Sequence, residues 1–293
     1  MHKPIDFFIV GAQKAGTTSL HNYLGNHPDI YMPYNKEISF FANDTEYAKG
    51  VAALESQFRG YSGERLKGLS HVQLIYRPQA PQRLFEHNPQ AKIVVMLRNP
   101  IDRAYSAYWY ARRNGVEPCE TFELALERDK TLGDNYFEQA DFAYLDHGRY
   151  IEQLRRFAHY FSRENTYIIL TEDLAGAAEF WPDFLAWLGV DTDVAALRLE
   201  EKHNVSSMPK NLTFQRLIKA SDSKLKRVYK RVVPQRVREM VTEKITEPLI
   251  NRNLQPFQYP PMHDETRNTL RQYFQQCNEQ LAEYIGRDLS GWK

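Results

Sequence analysis

Apolar positions along this chain fall into two patterns. Short unbroken runs occur at Phe7–Val10, Lys92–Leu97 and Thr166–Leu170, rich in β-branched and aromatic residues. An uninterrupted run of strand length is what a strand covered on both faces of a parallel sheet requires. Between these runs the spacing changes to a helical one. In Tyr150–Phe161, Ile151, Leu154, Phe157, Ala158 and Phe161 share one face, and Phe180–Leu188 forms a second amphipathic stretch closed by Gly189. Near the C-terminus Leu270, Tyr273, Phe274, Cys277, Leu281 and Tyr284 make a third stripe that stops at Gly286.

The gaps between the runs supply the remaining elements. A helix is expected from Thr17 to Gly25, ending before His27-Pro28, then a short extended piece at Ile30–Met32. Residues 43–65 read as surface helix and loop, Leu66–Leu74 as a second short strand leading into a loop at Ser70-His71, and Pro78–Asn88 as helix. Another helix should follow Leu97, from about Asp102. Strands alternating with helices at this spacing predict an α/β fold: a central parallel sheet with helices on both faces and helical C-terminal additions. Ligands of such sheets sit beyond the carboxyl ends of the strands, so the loops after Val10, Leu74 and Leu97 should open on one site.

The loop after the first strand carries the most specific chemistry. Gly11-Ala-Gln-Lys14-Ala-Gly16-Thr17 has the glycine spacing of a nucleoside-triphosphate loop, but Thr17 stands where that loop has its lysine. Successive amide groups and the helix end can still hold an anion. Lys14, inside the loop, should reach an anion lying across it, which fits a single 5′-phosphate better than a triphosphate. A second anion site is expected at Arg98, with Ser106 on the next helix: arginine grips phosphate with two prongs and serine adds a neutral donor.

These strings resemble the sulfotransferases that use 3′-phosphoadenosine 5′-phosphosulfate (PAPS), in particular the glycosaminoglycan-type and related bacterial enzymes. GAQKAGTTSL is similar to their 5′-phosphosulfate loop, which implies donor contacts from Gln13, Lys14, Ala15, Gly16, Thr17, Thr18 and Ser19. The string from Arg98 to Ser106 resembles their 3′-phosphate motif, which implies those two residues as ligands and leaves Arg103 a structural part. Lys36-Glu37-Ile-Ser-Phe40-Phe41 resembles a string whose glutamate takes the acceptor's proton. Glu37 is then the expected base, and nearby Phe40 and Phe41 should push its pKa upward. His71 is a rival base, because it falls where the cytosolic small-molecule enzymes place a histidine and where this sequence departs from the lysine-threonine-proline string of the glycosaminoglycan branch. Lys14 would stabilise charge growing on the oxygen between sulfur and the 5′-phosphate. PAPS as donor, adenosine 3′,5′-bisphosphate (PAP) as product and no metal ion are the expected co-substrates. The "EDL" segment at Glu172-Asp173-Leu174 and the "GRDLSGW" ending also resemble family strings, as does Lys202–Ser206.

Composition narrows the setting. The 293 residues are 42% hydrophobic and 26% charged, enough for a real core, and are read as a single domain over 1–293. A net charge of +1 does not steer the molecule to nucleic acid. Cys119 and Cys277 offer no disulfide framework and no metal-ligand spacing. The N-terminal residues lack the apolar core of about seven or more residues that a signal peptide has, and no stretch approaches the roughly 20 apolar residues of a membrane span. A cytoplasmic, bacterial setting is the expectation. Residues 210–257 resemble the family least and read as a basic helical insertion or lid; positions 216–238 are dominated by lysine and arginine, a solvated face or a contact for an anionic surface. The acceptor could be a sugar, a lipid, an amine or a phenol. Two rival readings are a nucleotide kinase or NTPase, and a non-catalytic anion- or membrane-binding protein on the same fold.

Overall fold

The computed structural model describes residues 3–133, 136–174, 180–199, 207–211 and 247–292. Five strands form the central sheet: β1 (Phe7–Gly11), β2 (Ile30–Tyr31), β3 (Leu66–Ser70), β4 (Lys92–Leu97) and β5 (Thr166–Leu170). Their order is β2-β3-β1-β4-β5, and every pairing is parallel. Phe7, Phe8, Ile9 and Val10, and the run Ile93–Leu97, are wholly excluded from solvent, which is why neither strand alternates.

The helices are α1 (Thr17–Gly25), α2 (Asp44–Tyr47), α3 (Val51–Glu55), α4 (Ala80–His87), α5 (Pro100–Arg113), α6 (Phe122–Asp129), α7 (Tyr136–Phe142), α8 (Tyr150–Ala158), α9 (Phe180–Leu188), α10 (Glu247–Arg252) and α11 (Asp264–Ile285). α5 begins two residues earlier than the expected Asp102. Pro100 occupies its first turn and Asn99 caps it, accepting from the Ile101 amide at 3.0 Å. The expected helix and loop over 43–65 is two short helices, α2 capped by Asn43. On α11, Leu270, Phe274 and Leu281 are buried and Gly286 ends the helix in the left-handed region, whereas Tyr273 and Tyr284 lie on the exposed side of the predicted stripe.

α5, α6 and α11 enclose a second core, with Ile101, Tyr108, Phe122, Tyr144, Leu270 and Phe274. The C-terminal tail docks on the end of β5: Arg287 pairs with Asp173 at 2.7 and 3.1 Å, and the Trp292 indole donates to Glu172 at 3.1 Å. The Asp173 carboxylate also accepts from the Leu170 amide at 2.8 Å, so the Glu172-Asp173 pair is a fastening between tail and sheet.

Of the predicted insertion over 210–257, most lies outside the described residues, including the basic stretch 216–238; so does Lys202–Ser206. Its two ends meet. β6 (Ser207–Pro209) pairs antiparallel with β7 (Leu254–Pro256), and Asn211 and Asn253 exchange hydrogen bonds at 3.0 and 3.1 Å.

Gly68, in the middle of β3, shows how tightly the sheet is covered. A Cβ there would lie 2.3 Å from Phe7 Cζ and 2.4 Å from Met32 Sδ, and Phe7 is fully buried and unable to retreat. Gly68→Ala is expected to lower stability by about 1–3 kcal/mol through overpacking, read as a reduced urea midpoint with an unchanged m-value.

Candidate active site

With all strands of the central sheet parallel, the segments following β1, β3 and β4 emerge at one edge of it. The loop after β1 is pinned there by the Ala12 amide donating to Met96 O at 2.6 Å, and by the Thr171 hydroxyl donating to Ala15 O at 3.0 Å. Gly11 is required at its entry: φ is +143°, and a Cβ would lie 2.6 Å from Ile75 Cγ2 and 2.8 Å from Val72 O. Gly16 closes the loop at φ +99° and leaves the N-terminus of α1 without a side-chain cap.

Lys14 and Arg98 meet at this edge. Arg98 Nη1 donates to the Lys14 carbonyl at 3.2 Å, and the Lys14 ammonium lies over the Tyr110 ring, 4.4 Å from its centroid. Burial, then Arg98, Arg113 and Lys36, push the Lys14 amine down from 10.5 to about 8. Ser106 is nearly buried on α5. Ser106, Tyr110 and Arg113 are spaced by four and three residues and so share one face of that helix. Arg113 was not foreseen from sequence, although that helical spacing from Ser106 points to it.

The other predicted donor contacts divide. Thr17 is buried and Thr18 exposed, with Ser19 between these extremes. Gln13 is engaged with α7: its amide nitrogen donates to Ala140 O at 3.4 Å, the same carbonyl that Gln73 reaches at 3.0 Å. Arg103 is fully buried and donates to Tyr144 O, in keeping with a structural part.

Glu37 and His71 stand together on the neighbouring side. Glu37 forms an isolated parallel bridge with Ser70 at the end of β3. Its carboxylate is ion-paired with Lys36 through Oε1 and accepts from the Val72 amide at 3.0 Å through Oε2. The side chain is crowded by protein yet 45% accessible, at the wall of a cleft of about 320 Å³ also lined by Asn35, Ser39, Glu46 and Gln57. A cavity of about 670 Å³ lies elsewhere, against β5 and α9, and touches none of these residues.

The sequence expectation for Glu37 has the wrong sign. Burial does push its carboxyl up, but Lys36, His71 and the Val72 amide together outweigh that and hold it below its ordinary value. Phe40 and Phe41 point into the core, against Tyr47 and Phe8, and leave the carboxylate to its polar neighbours.

His71 is poorly arranged as a base. It is 5% exposed, and burial is the main cause that takes its pKa down to about 4. Nδ1 accepts from the Gln73 amide at 3.1 Å, which puts the neutral ring's proton on Nε2 and leaves no free lone pair. Its 4.0 Å approach to Glu37 Oε2 is a contact between two acceptors. Among the described residues no group of three or more His, Cys, Asp or Glu side chains could hold a metal ion.

A sequence model of the sulfotransferase domain matches residues 4–242, most of the chain. The chain belongs to the sulfotransferase family. Among its relatives is a membrane-associated sulfotransferase of Dictyostelium discoideum, 33% identical over 132 residues, 42% of this chain and 28% of that protein. A bifunctional heparan sulfate N-deacetylase/N-sulfotransferase of Caenorhabditis elegans is 28% identical over 177 residues, 58% of this chain and 20% of that protein. The matches thus span less than a third of these relatives' lengths. The crystal structure of a sulfotransferase from Alicyclobacillus acidocaldarius superposes with a TM-score of 0.69 at 28% identity, covering 100% of this chain and 99% of that one. The chain has the P-loop-like α/β fold expected from its sequence.

The Lys14 amine gives the site a pH signature. An anion favours the charged form, so affinity is full below the free-state value and declines as pH rises through about 8. Calorimetric titration with PAP is expected to show this decline. Lys14→Met should bind more weakly at pH 7 and with little change between about pH 7 and 9.

Proposed function

We propose that this chain transfers a sulfuryl group from PAPS to a hydroxyl or amine of an acceptor by in-line displacement. The observation that carries the reading is the placement of Lys14 and Glu37 at one sheet edge with the Lys36 ammonium in the field of both. A cation able to receive leaving-group charge and a carboxylate able to receive a proton then act on one reacting centre.

In this reading the loop amides and Lys14 bind the 5′-phosphosulfate, and Arg98 and Ser106 bind the 3′-phosphate. The acceptor enters the cleft beside Glu37. As its oxygen or nitrogen bonds to sulfur, its proton passes to Glu37. The bridging bond breaks, and its electron pair stays on the 5′-phosphate of PAP, where Lys14 stabilises it. That charge appears only in the transition state, so the interaction accelerates the step instead of merely tightening binding.

His71 acts here as an enclosed neutral ring with its proton on Nε2, not as the base. A kinase or NTPase is disfavoured because Thr17 stands at the triphosphate lysine position and Arg98 at the end of β4. The family and the site support the reaction class; the acceptor stays open among sugar, lipid and small-molecule hydroxyls and amines. We keep the cytoplasm as the proposed compartment, on the ground that Cys119 and Cys277 are both free.

Transfer of label from [35S]PAPS into extracts of the source organism, with mass identification of the product, tests the reaction. No labelled product with any fraction would sink it. Lys14→Ala is expected to lower turnover by about 10²- to 10³-fold, and Glu37→Gln by about 10²- to 10⁴-fold. His71→Asn keeps an acceptor near the Gln73 amide and should cost about tenfold or less. A larger loss in His71→Asn than in Glu37→Gln reverses the assignment of the base.

A further inference from the structure

Resting on the reading of Glu37 as base, a further question is how a carboxylate with both oxygens engaged can accept a proton. Oε1 is held by Lys36 and Oε2 by the Val72 amide. Lys36 is unusual for a surface-loop lysine: its side chain is only 15% exposed, and its charge is felt at Lys14, His21, Glu37 and His71 alike. An ammonium so enclosed needs an anionic partner continuously, because an unpaired buried charge is strongly unfavourable. Glu37 is the carboxylate that the structure gives it.

The other charges around it explain why it stays there. From the loop after β1 comes Lys14, from the end of β4 Arg98, and from the last turn of α5 Arg113; Arg98, Arg113 and Lys36 each disfavour the charged form of Lys14. On the remaining sides stand His71 after β3 and His21 on α1, both held neutral at pH 7 by burial. Like charge at Lys14 opposes an approach of Lys36 to the anion loop and favours its pairing with Glu37. A sulfuryl group beside Lys14 cancels that repulsion and offers Lys36 a second anionic partner.

We propose that Lys36 gates the base: it holds Glu37 until the donor's sulfuryl group lies beside Lys14, then turns to that group and frees Glu37 Oε1 for the acceptor. The lysine's flexible four-carbon stem and three rotatable donors suit such an exchange, which a rigid guanidinium fork would not. The carboxyl loses its main lowering partner and becomes a better base only when there is something to transfer. The acceptor proton then moves to Glu37 Oε1 as the acceptor–sulfur bond forms and the sulfur–bridging-oxygen bond breaks. Lys36 neutralises the sulfuryl oxygens during that step. Donor binds before acceptor, and Glu37 is not activated in its absence.

The test is the titration of the Glu37 carboxyl, followed by 13C NMR of protein carrying labelled glutamate and assigned by difference with Glu37→Gln. In the wild type, PAPS without acceptor is expected to raise the midpoint by about one unit or more, and PAP, which lacks the sulfuryl group, by much less. In Lys36→Met the midpoint should already be high and should not respond to PAPS, with turnover down about 10²-fold and the thermal midpoint retained. An unmoved wild-type midpoint on PAPS addition overturns the proposal and needs no variant to fold. So does a Lys36→Met midpoint that responds as the wild type does. Because the titration is read without turnover, it is separable from the base assignment, which fails on its own if Glu37→Gln retains near-normal activity.

Discussion

The structure depends most on holding several like charges at one sheet edge. Lys14, Arg98, Arg113 and Lys36 converge there, and Glu37 is paired with only the last of them. Lowering an amine from 10.5 to about 8 corresponds to roughly 3 kcal/mol against its charged form, with burial the largest cause and the neighbouring cations adding to it. The fold tolerates this because the loop is fixed by contacts that do not rely on the charges, the Ala12 amide to Met96 O and the Thr171 hydroxyl to Ala15 O, while Arg98 is itself held by the Lys14 carbonyl. An anionic ligand relieves the repulsion, so binding is driven by a cost already met in folding. Donors that are prearranged in this way need little reorganisation when negative charge develops.

Much of this was legible in the sequence, for a physical reason. β1 and β4 are buried on both faces, so their unbroken apolar runs could be read without knowing any partner. The glycine-bounded loop and Arg98 lie directly at the strand ends, and the parallel topology alone brings them together. What failed needed the folded geometry, near in sequence as well as far. The field at Glu37 was argued from Phe40 and Phe41, which are near in sequence but turned into the core; the adjacent Lys36 does most to lower its pKa, joined by His71 and the Val72 amide from the segment after β3. His71 was a plausible base as an isolated imidazole, and only the Gln73 amide, two residues on, removes its lone pair. The stripe on α11 was half right because Tyr273 and Tyr284 flank the buried face without entering it. Helices α6 and α7 had no reading at all; α7 is held partly from outside, by Gln73 reaching Ala140 and Arg77 reaching Gln139.

The division between Glu37 and His71 follows from solvent access. Both sit at the end of β3, and each is influenced by the other and by Lys36. The imidazole is enclosed, so its charged form is suppressed and its geometry fixed by a backbone amide. The carboxylate faces a cleft, keeps its charge, and can meet a substrate atom. Both groups are shifted downward, and solvent access separates their roles: the accessible charged one is fit to accept a proton and the enclosed neutral one to donate a hydrogen bond.

The C-terminal tail belongs to the site's machinery even though it contributes no reacting group. The Arg98 carbonyl accepts from the Tyr150 hydroxyl at 2.9 Å, Tyr150 packs edge-on against Trp292, and the Trp292 indole donates to Glu172 just past β5. Arg287 clamps Asp173 beside it, and Asp173 in turn holds the Leu170 amide at the end of β5. β5 pairs with β4 up to Leu97, the residue before Arg98. Arg98 is therefore set from both sides, by the sheet register and by a tail nearly two hundred residues downstream in the sequence. A guanidinium on a short loop has several rotamers of similar energy. Fixing its backbone on a packed aromatic pair limits those choices before any ligand arrives, which places the ordering cost in folding instead of binding.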